Sequence, residues 1–243
     1  MNDNKAKNVV ITGASRGIGK AVAEAFAAEG AHLFLSSRNE VHLYNTVAAL
    51  QTQYPDAVIK AKAFDLSVKE QAIQLGNWVN DNCKTVDILV NNAGNFLPGS
   101  VYNEEDGFLE EMIATNLYSA YHLTRTLLPN IMAHALNSQA GYVFNICSTA
   151  SLQAYKNGGA YSISKFAMLG FSKNLREEMK PHNIKVCAIM PGAVHTDSWA
   201  GYDNRKKRIM EAKDVADIII AATKLSPAAV IEDIVLRPQL GDL

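Results

Sequence analysis

The segment VVITGASRGIGKAVAEAFAAEG, residues 9–30, decides the fold. Val9 to Thr12 is a β-branched run that favours a strand, and Ile18, Ala21, Val22, Ala25 and Phe26 recur at helical spacing before Gly30. Between them Gly13, Gly17 and Gly19 form a tight loop in which glycine permits positive φ and close backbone approach. A strand, a glycine-rich loop and a helix in this order open a doubly wound sheet, and the helix N-terminus there can hold a phosphate. The spacing G-x-x-x-G-x-G departs from the commonest dinucleotide fingerprint, so an ordinary βα loop is the rival reading. The loop's place directly after the first strand favours a nucleotide.

The chain continues in the same alternation. HLFLS (32–36), a helix over about 40–53, AVIKAKAF (57–64), a helix through Trp78 and Val79, and DILV (87–90) come first. A long helical pattern over about 104–134, GYVFNI (141–146), a helix around Tyr161 ending at Pro181, IKVCAIM (184–190), a helix over about 214–225 and IEDIVL (231–236) follow. The pattern predicts an α/β fold with a parallel seven-stranded sheet and helices on both faces, one Rossmann-type domain over 1–243 without linker or repeat.

Of 243 residues, 48% are hydrophobic and 19% charged, with a net charge of -1, which leaves no strong field for nucleic acid or an anionic membrane. Small-molecule partners are expected. Cys83, Cys147 and Cys187 show no C-x-x-C spacing, and the histidines show no H-E-x-x-H, so neither a disulfide framework nor a metal site is indicated. The polar start MNDNKAKN and the absence of an apolar run of about 18 residues predict a soluble, unexported, cytoplasmic protein. The run Arg205, Lys206, Lys207, Arg208 is flanked by Asp203 and Glu211 and reads as a solvated helix face.

The nucleotide can be narrowed from the residues. A carboxylate about 20 residues past the glycine loop would hold the ribose hydroxyls of NAD, but the second strand ends in SSRN. Arg38, beside Ser37, and Arg16 within the loop carry guanidinium forks suited to a 2'-phosphate, so NADP(H) is preferred over NAD(H). Ser15 and Ile18 complete the loop. Asp65, followed by Leu66, ends the third strand where a carboxylate can accept from an adenine amine; Ser67 is expected as a helix N-cap in the same segment. Asn91, Asn92, Ala93 and Gly94 follow the fourth strand, small enough for close cofactor contact and able to pin neighbouring strands.

The stretch AYSISKFAM (160–168) places Tyr161 and Lys165 at i and i+4, on one helix face with Ser164 and Met168. A phenol ordinarily ionises near pH 10, so proton transfer near neutrality gains from a cation that favours the phenolate. Ser148 follows a parallel strand, where ligands gather in such sheets. Leu109, Ile113, Asn116 and Ala120 fall on one stripe, and an amide buried there needs partners, at a cost of roughly 1–3 kcal/mol without them. A bound internal water is one solution; an amide that distorts the helix and bonds only backbone is the other. Tyr155 and Lys156 are adjacent before Gly158 and Gly159 and read as loop residues near a pocket. Cys147 reads as a small core residue, and His195 faces cofactor or solvent.

With TGASRGIG, NNAG, Asn116, Ser148 and Y-S-I-S-K in order, the chain resembles the short-chain dehydrogenase/reductase family over nearly its full length. The resemblance implies a tetrad of Asn116, Ser148, Tyr161 and Lys165, in which Tyr161 gives a proton to a carbonyl oxygen, Ser148 positions that oxygen, and Lys165 favours the phenolate and binds the nicotinamide ribose. It implies cofactor contacts at Pro191, Gly192, Val194 and Thr196, and a substrate lid over about 196–213 with Trp199, Tyr202 and Met210 as covers; a small packed helix pair is the other reading of that stretch. Phe96, Leu97, Gln153, Tyr155 and Trp199 are the substrate-facing candidates, suited to a ketone or planar carbonyl. The closing segment EDIVLRPQLGDL resembles the short-tailed branch of sepiapterin-reductase-like and oxoacyl-reductase-like enzymes. A homo-oligomer, tetramer or dimer, through the two long helices is implied as well. A non-catalytic NADPH-binding sensor and a dehydrogenase oxidising a secondary alcohol are the rival functions.

Overall fold

The computed structural model describes residues 6–137, 140–196, 199, 201–204 and 208–242. The first unit is β1 (Asn8–Thr12), α1 (Gly17–Ala28) and β2 (His32–Ser36), followed by α2 (Glu40–Gln53), β3 (Ile59–Ala61), α3 (Lys69–Asn82) and β4 (Ile88–Asn91). The second half runs through α4 (Phe108–Ile113), α5 (Ser119–Asn137), β5 (Gly141–Ile146), α6 (Gly159–Met179), β6 (Ile184–Pro191), the short β7 (Val194–His195) and β8 (Met210–Glu211), α7 (Ala212–Thr223) and β9 (Asp233–Leu236).

Seven strands form one sheet in the order β3-β2-β1-β4-β5-β6-β9, every neighbouring pair parallel. Chain order reverses between β1 and β4, and the crevice at such a switch point, beyond the strands' carboxyl ends, is where ligands bind in open α/β sheets. The reversal sets the loop after Thr12 beside the loop after Asn91. Strand residues alternate between two cores. Val9, Ile11, Leu33, Leu35, Phe144 and Ile189 pack with Val22 and Phe26 of α1 and Ile219 of α7. Val10, Phe34, Leu89, Val143 and Val186 pack with Leu75, Leu127 and Leu175 on the opposite face. Each such side chain stabilises the fold by about 1.5–3 kcal/mol, so the scaffold under the crevice is held by burial on both sides.

Several boundaries differ from the sequence reading for local reasons. β3 covers only residues 59–61 of the expected 57–64, because it is an edge strand with a partner on one side, although Val58, Lys62 and Phe64 still bond β2 and its extension. The long helix expected over 104–134 starts at Phe108, after Gly107 at φ 92, and is interrupted by one wide π-type turn over Ala114–Tyr118. α7 begins at Ala212, ahead of the expected 214, because Glu211 and Asp214 close a reciprocal cap.

Arg205, Lys206 and Lys207 lie outside the described residues. Arg208 is not on a solvated helix face: its guanidinium donates to the carbonyls of Gly241 (2.9 Å) and Asp242 (3.2 Å). Met210 pairs with Val194 in the β7–β8 ribbon and packs on the core, so it does not act as a cover. Among the described residues no helix is long and apolar enough to cross a membrane.

Candidate active site

The glycine loop has the shape its sequence requires. Gly13 and Gly17 stand at φ 63 and 53, where a side chain is strained. A Cβ on Gly19 would strike the Gly13 carbonyl and the Asn92 amide, and one on Gly17 would lie 3.1 Å from the Thr196 side chain. Glycine here lets α1, the NNAG loop and Thr196 converge. Thr12 Oγ1 accepts from the amides of Asn92 and Ala93, both at 2.9 Å, and Asn92 Nδ2 donates to the carbonyls of Thr12 (2.9 Å) and Gly13 (3.2 Å). Asn92 is thus a brace between the two loops. The N-cap of α1, Arg16 in extended conformation, makes no side-chain cap bond to the helix, so the first-turn amides and dipole suit an anion. This cradle fits a pyrophosphate.

The other expected cofactor residues are placed variously. Arg16 and Arg38 are exposed, at α1 and beyond β2, while Ser37 is buried and donates to Asn39 O at 3.2 Å. Asp65 Oδ1 accepts from Ser67 N (3.1 Å) and Ser67 Oγ (2.6 Å), closing a turn, and Val68 rather than Ser67 is the N-cap of α3. Leu66 is buried. Pro191 ends β6, Gly192 packs against Asp242 and Pro238 of the C-terminal tail, and Val194 is buried in the ribbon, so the last two face protein with their Cα or side chain.

Asn91 acts below the crevice: its Nδ2 donates to Thr124 Oγ1 (3.0 Å) and to Asn145 Oδ1 (2.9 Å), its register partner on β5, and Asn145 Nδ2 donates to Ser172 Oγ at 2.9 Å. This buried chain ties β4 and β5 to α5 and α6 beneath the site.

On α6, Tyr161 is half-buried while Ser164, Lys165 and Met168 are buried, as their shared face requires. Lys165 Nζ donates to Ile146 O at 2.9 Å and lies 5.7 Å from the centre of the Tyr161 ring. Ser148 begins a short 3-10 turn, Thr149–Ser151, packed against α6, and its hydroxyl accepts from Ala150 N at 3.1 Å. Asn116, 1% exposed, sits in the π-type turn. Its Oδ1 accepts from Asn95 N (2.7 Å), and its Nδ2 donates to Asn95 O (3.0 Å) and to Ser164 Oγ (2.8 Å). The hydroxyl of Ser164 in turn donates to Tyr161 O at 2.7 Å. The amide therefore bonds a side chain as well as backbone, and the wide turn rotates the stripe: Met112 is buried where Leu109 was expected, and Leu109 is exposed.

Phe96 meets the Tyr161 ring edge-on, with centroids 4.9 Å apart. Leu97 is half-buried, and Gln153 and Tyr155 are exposed on the loop before α6. Partial burial of its phenol, and then Tyr161 nearby, push Tyr155 up to about 12, which keeps it a hydrogen-bond donor at neutral pH. Trp199 packs edge-to-face on Tyr202 at 5.5 Å. His195 is exposed, 3.8 Å from Glu211. The cysteines stay thiols: burial raises Cys147, and pushes Cys83 to about 11 and Cys187 to about 12. The sequence reading places Ser164 on the Tyr161–Lys165 face without giving it a role, and it misses Asn95, which meets Asn116 through backbone and leaves no side-chain signal.

The short chain dehydrogenase family model matches residues 7–207. Sepiapterin reductase of Chlorobaculum tepidum is 29% identical over 243 residues, covering 97% of this chain and 97% of that protein, in keeping with the branch its closing segment resembles. Among solved structures, an alcohol dehydrogenase from the archaeon Thermococcus sibiricus complexed with 5-hydroxy-NADP superposes with TM-score 0.88 at 25% identity, covering 97% of each chain. L-sorbose reductase from Gluconobacter frateurii, complexed with NADPH and L-sorbose, superposes with TM-score 0.86 at 25% identity, covering 96% of this chain and 95% of that one. A family match of this extent, with oxidoreductase structures superposing across nearly the whole length, shows that the chain belongs to the short-chain dehydrogenase/reductase family of oxidoreductases.

Proposed function

We propose that the chain is an NADPH-dependent oxidoreductase that reduces a ketone or other carbonyl compound to a secondary alcohol, with Tyr161 as general acid. The observation that carries the reading is the placement of Lys165, buried and bonded to Ile146 O beside Ser148, one turn from a half-buried Tyr161. NADPH, once bound, would supply the hydride. Tyr161 gives its proton to the carbonyl oxygen, and Ser148 donates to the same oxygen and fixes its direction. Lys165 favours the phenolate that remains and holds the nicotinamide ribose. Asn116 fixes the backbone of Asn95 and, through Ser164, the helix carrying Tyr161. A sensor without turnover has no use for this arrangement. The T. sibiricus protein's description as an alcohol dehydrogenase keeps the oxidative direction as the second reading. The deciding assay follows NADPH and NADH consumption with a panel of diketones, oxoacyl thioesters and pterin carbonyls; turnover with none of them, while NADPH binds, supports the sensor instead.

In this reading the cradle of Gly13, Ser15, Gly17, Ile18 and Gly19 holds the pyrophosphate, and Arg16 and Arg38 the 2'-phosphate. Asp65 and Leu66 line the adenine, Asn92, Ala93 and Gly94 the nearer ribose, and Pro191, Gly192, Val194 and Thr196 the nicotinamide end. Arg38→Asp should lower the NADPH-over-NADH ratio of kcat/KM by about ten- to a hundredfold, the worth of one charge-assisted phosphate contact. A ratio unchanged by the substitution would remove Arg38 from the phosphate site. The whole chain then forms one domain, with the stretch from Thr196 to the start of β8, Trp199 and Tyr202 in it, as a short cover over Phe96, Gln153 and Tyr155.

The same reading includes self-association through α5 and α6. Tyr121 (37%) on α5, Ile163 (44%) and Phe166 (45%) on α6, and Tyr118 (51%) at the end of the π-type turn before α5 leave large apolar area exposed, more than scattered surface residues require. Light scattering at micromolar protein should give a tetramer or dimer, and a monomer would refute this part.

A further inference from the structure

The helix that presents Tyr161 lacks a cap of its own. Its N-cap, Gly158, has no side chain to accept from the first-turn amides, and no acidic residue lies in that turn. A carboxylate comes from 56 residues away: Glu104 Oε2 accepts from the amide of Ala160, the residue before Tyr161, at 3.0 Å. Glu104 is held in turn by its own amide, which donates to Ser100 O at 2.9 Å.

Further contacts fasten the same segment to the same helix start. Gly99 N donates to Asn157 O at 3.2 Å, Gly99 forms a β-bridge with Gly158, and Ser100 Oγ donates to Asn157 Oδ1 at 2.8 Å. Asn157 takes the left-handed conformation, φ 60, to turn the chain into the helix. The glycines provide the clearance: a Cβ on Gly159 would strike Glu104 Oε2 and Gly99 O, and one on Gly99 would lie 2.7 Å from Glu104 Cβ. The segment so fastened begins with Phe96, whose ring meets Tyr161. Glu104 therefore joins the two walls that meet at the phenol.

We infer that Glu104 is a positioning residue for Tyr161, capping its helix and clasping to it the loop that follows Phe96; this rests on the catalytic reading above. A cap bond adjacent to the proton donor sets where the phenol stands, and small displacements of a reacting group carry large rate penalties. The pyrophosphate cradle lies on α1 and the β4 loop, apart from the clasp, and Lys165, more than a turn beyond Ala160, keeps its own bond to Ile146 O.

The test compares Glu104→Ala, Glu104→Gln and the neighbouring Glu105→Ala in the full chain, by amide hydrogen exchange over 158–162, NADPH affinity, and kcat/KM on the best carbonyl of the panel. Glu104→Ala should speed exchange in that window and lower kcat/KM by about tenfold, with NADPH affinity within about twofold of wild type. Glu104→Gln, whose amide oxygen still accepts from Ala160 N, should recover most of both, and Glu105→Ala should behave as wild type. The inference is overturned if Glu104→Ala keeps wild-type kcat/KM, if NADPH affinity falls in proportion to it, or if Glu105→Ala has the same effect. If Tyr161→Phe turns over like the wild type, the catalytic reading fails and the inference falls with it, whatever the exchange at Ala160 shows.

Discussion

Tyr161→Phe should remove about 10²–10⁴ of the carbonyl-reduction rate, the usual contribution of a positioned general acid, while NADPH binds as before. The substitution deletes one oxygen and leaves the ring, so the edge contact with Phe96 at 4.9 Å is kept. Stability should stay within about 0.5 kcal/mol of wild type, since no core packing is lost. Equal loss of kcat and kcat/KM is the signature of a group acting only in the transition state. A rise in KM with kcat preserved would make Tyr161 a substrate-binding phenol and move the proton donor elsewhere. Tyr155 is the next phenol in line, and its upward-shifted ionisation makes it a weaker acid. A double variant lacking both hydroxyls separates the cases: it should be no slower than Tyr161→Phe if Tyr161 alone transfers the proton.

How far the sequence carries this site depends on the kind of interaction. HLFLS and GYVFNI match β2 and β5 residue for residue, because central strands buried on both faces read as continuous apolar runs. AVIKAKAF overstated β3, where an edge position lets Val58 and Lys62 face solvent and ends regular pairing early. Side-chain chemistry at fixed helical spacing was legible, so Tyr161, Ser164, Lys165 and Met168 stand on the predicted face. The phase across Asn116 was not. A helix of uniform pitch puts Leu109 on the buried stripe, and the one wide turn at Ala114–Tyr118 substitutes Met112. Such turns have no residue signature, and they occur often at functional sites. Contacts through backbone were equally silent: Asn95 is held by both ends of the Asn116 amide, and Ala160 by Glu104, without either partner's identity announcing the pair.

Lys165→Met should lower kcat/KM by about 10²-fold or more, because it removes a fixed cation from the place where negative charge develops. The residue is 6% exposed and its ammonium has Ile146 O as acceptor at 2.9 Å, so the charge is held in place and largely out of water. Methionine fills similar volume, leaving Ile146 O short of a donor at a cost of roughly 1–3 kcal/mol, offset in part by the loss of a buried charge. The fold should persist. Lys165→Arg tells charge from position. Gly94 brings the NNAG loop close, a Cβ there lying 3.6 Å from Nζ and 3.1 Å from Asn116 Oδ1, so the longer guanidinium cannot reproduce the Ile146 bond without moving one of them. If charge alone matters, the arginine variant keeps the rate; if position matters too, it loses most of it. A methionine variant with wild-type rate would assign Lys165 to the core and return the tyrosine to the surface of an ordinary helix.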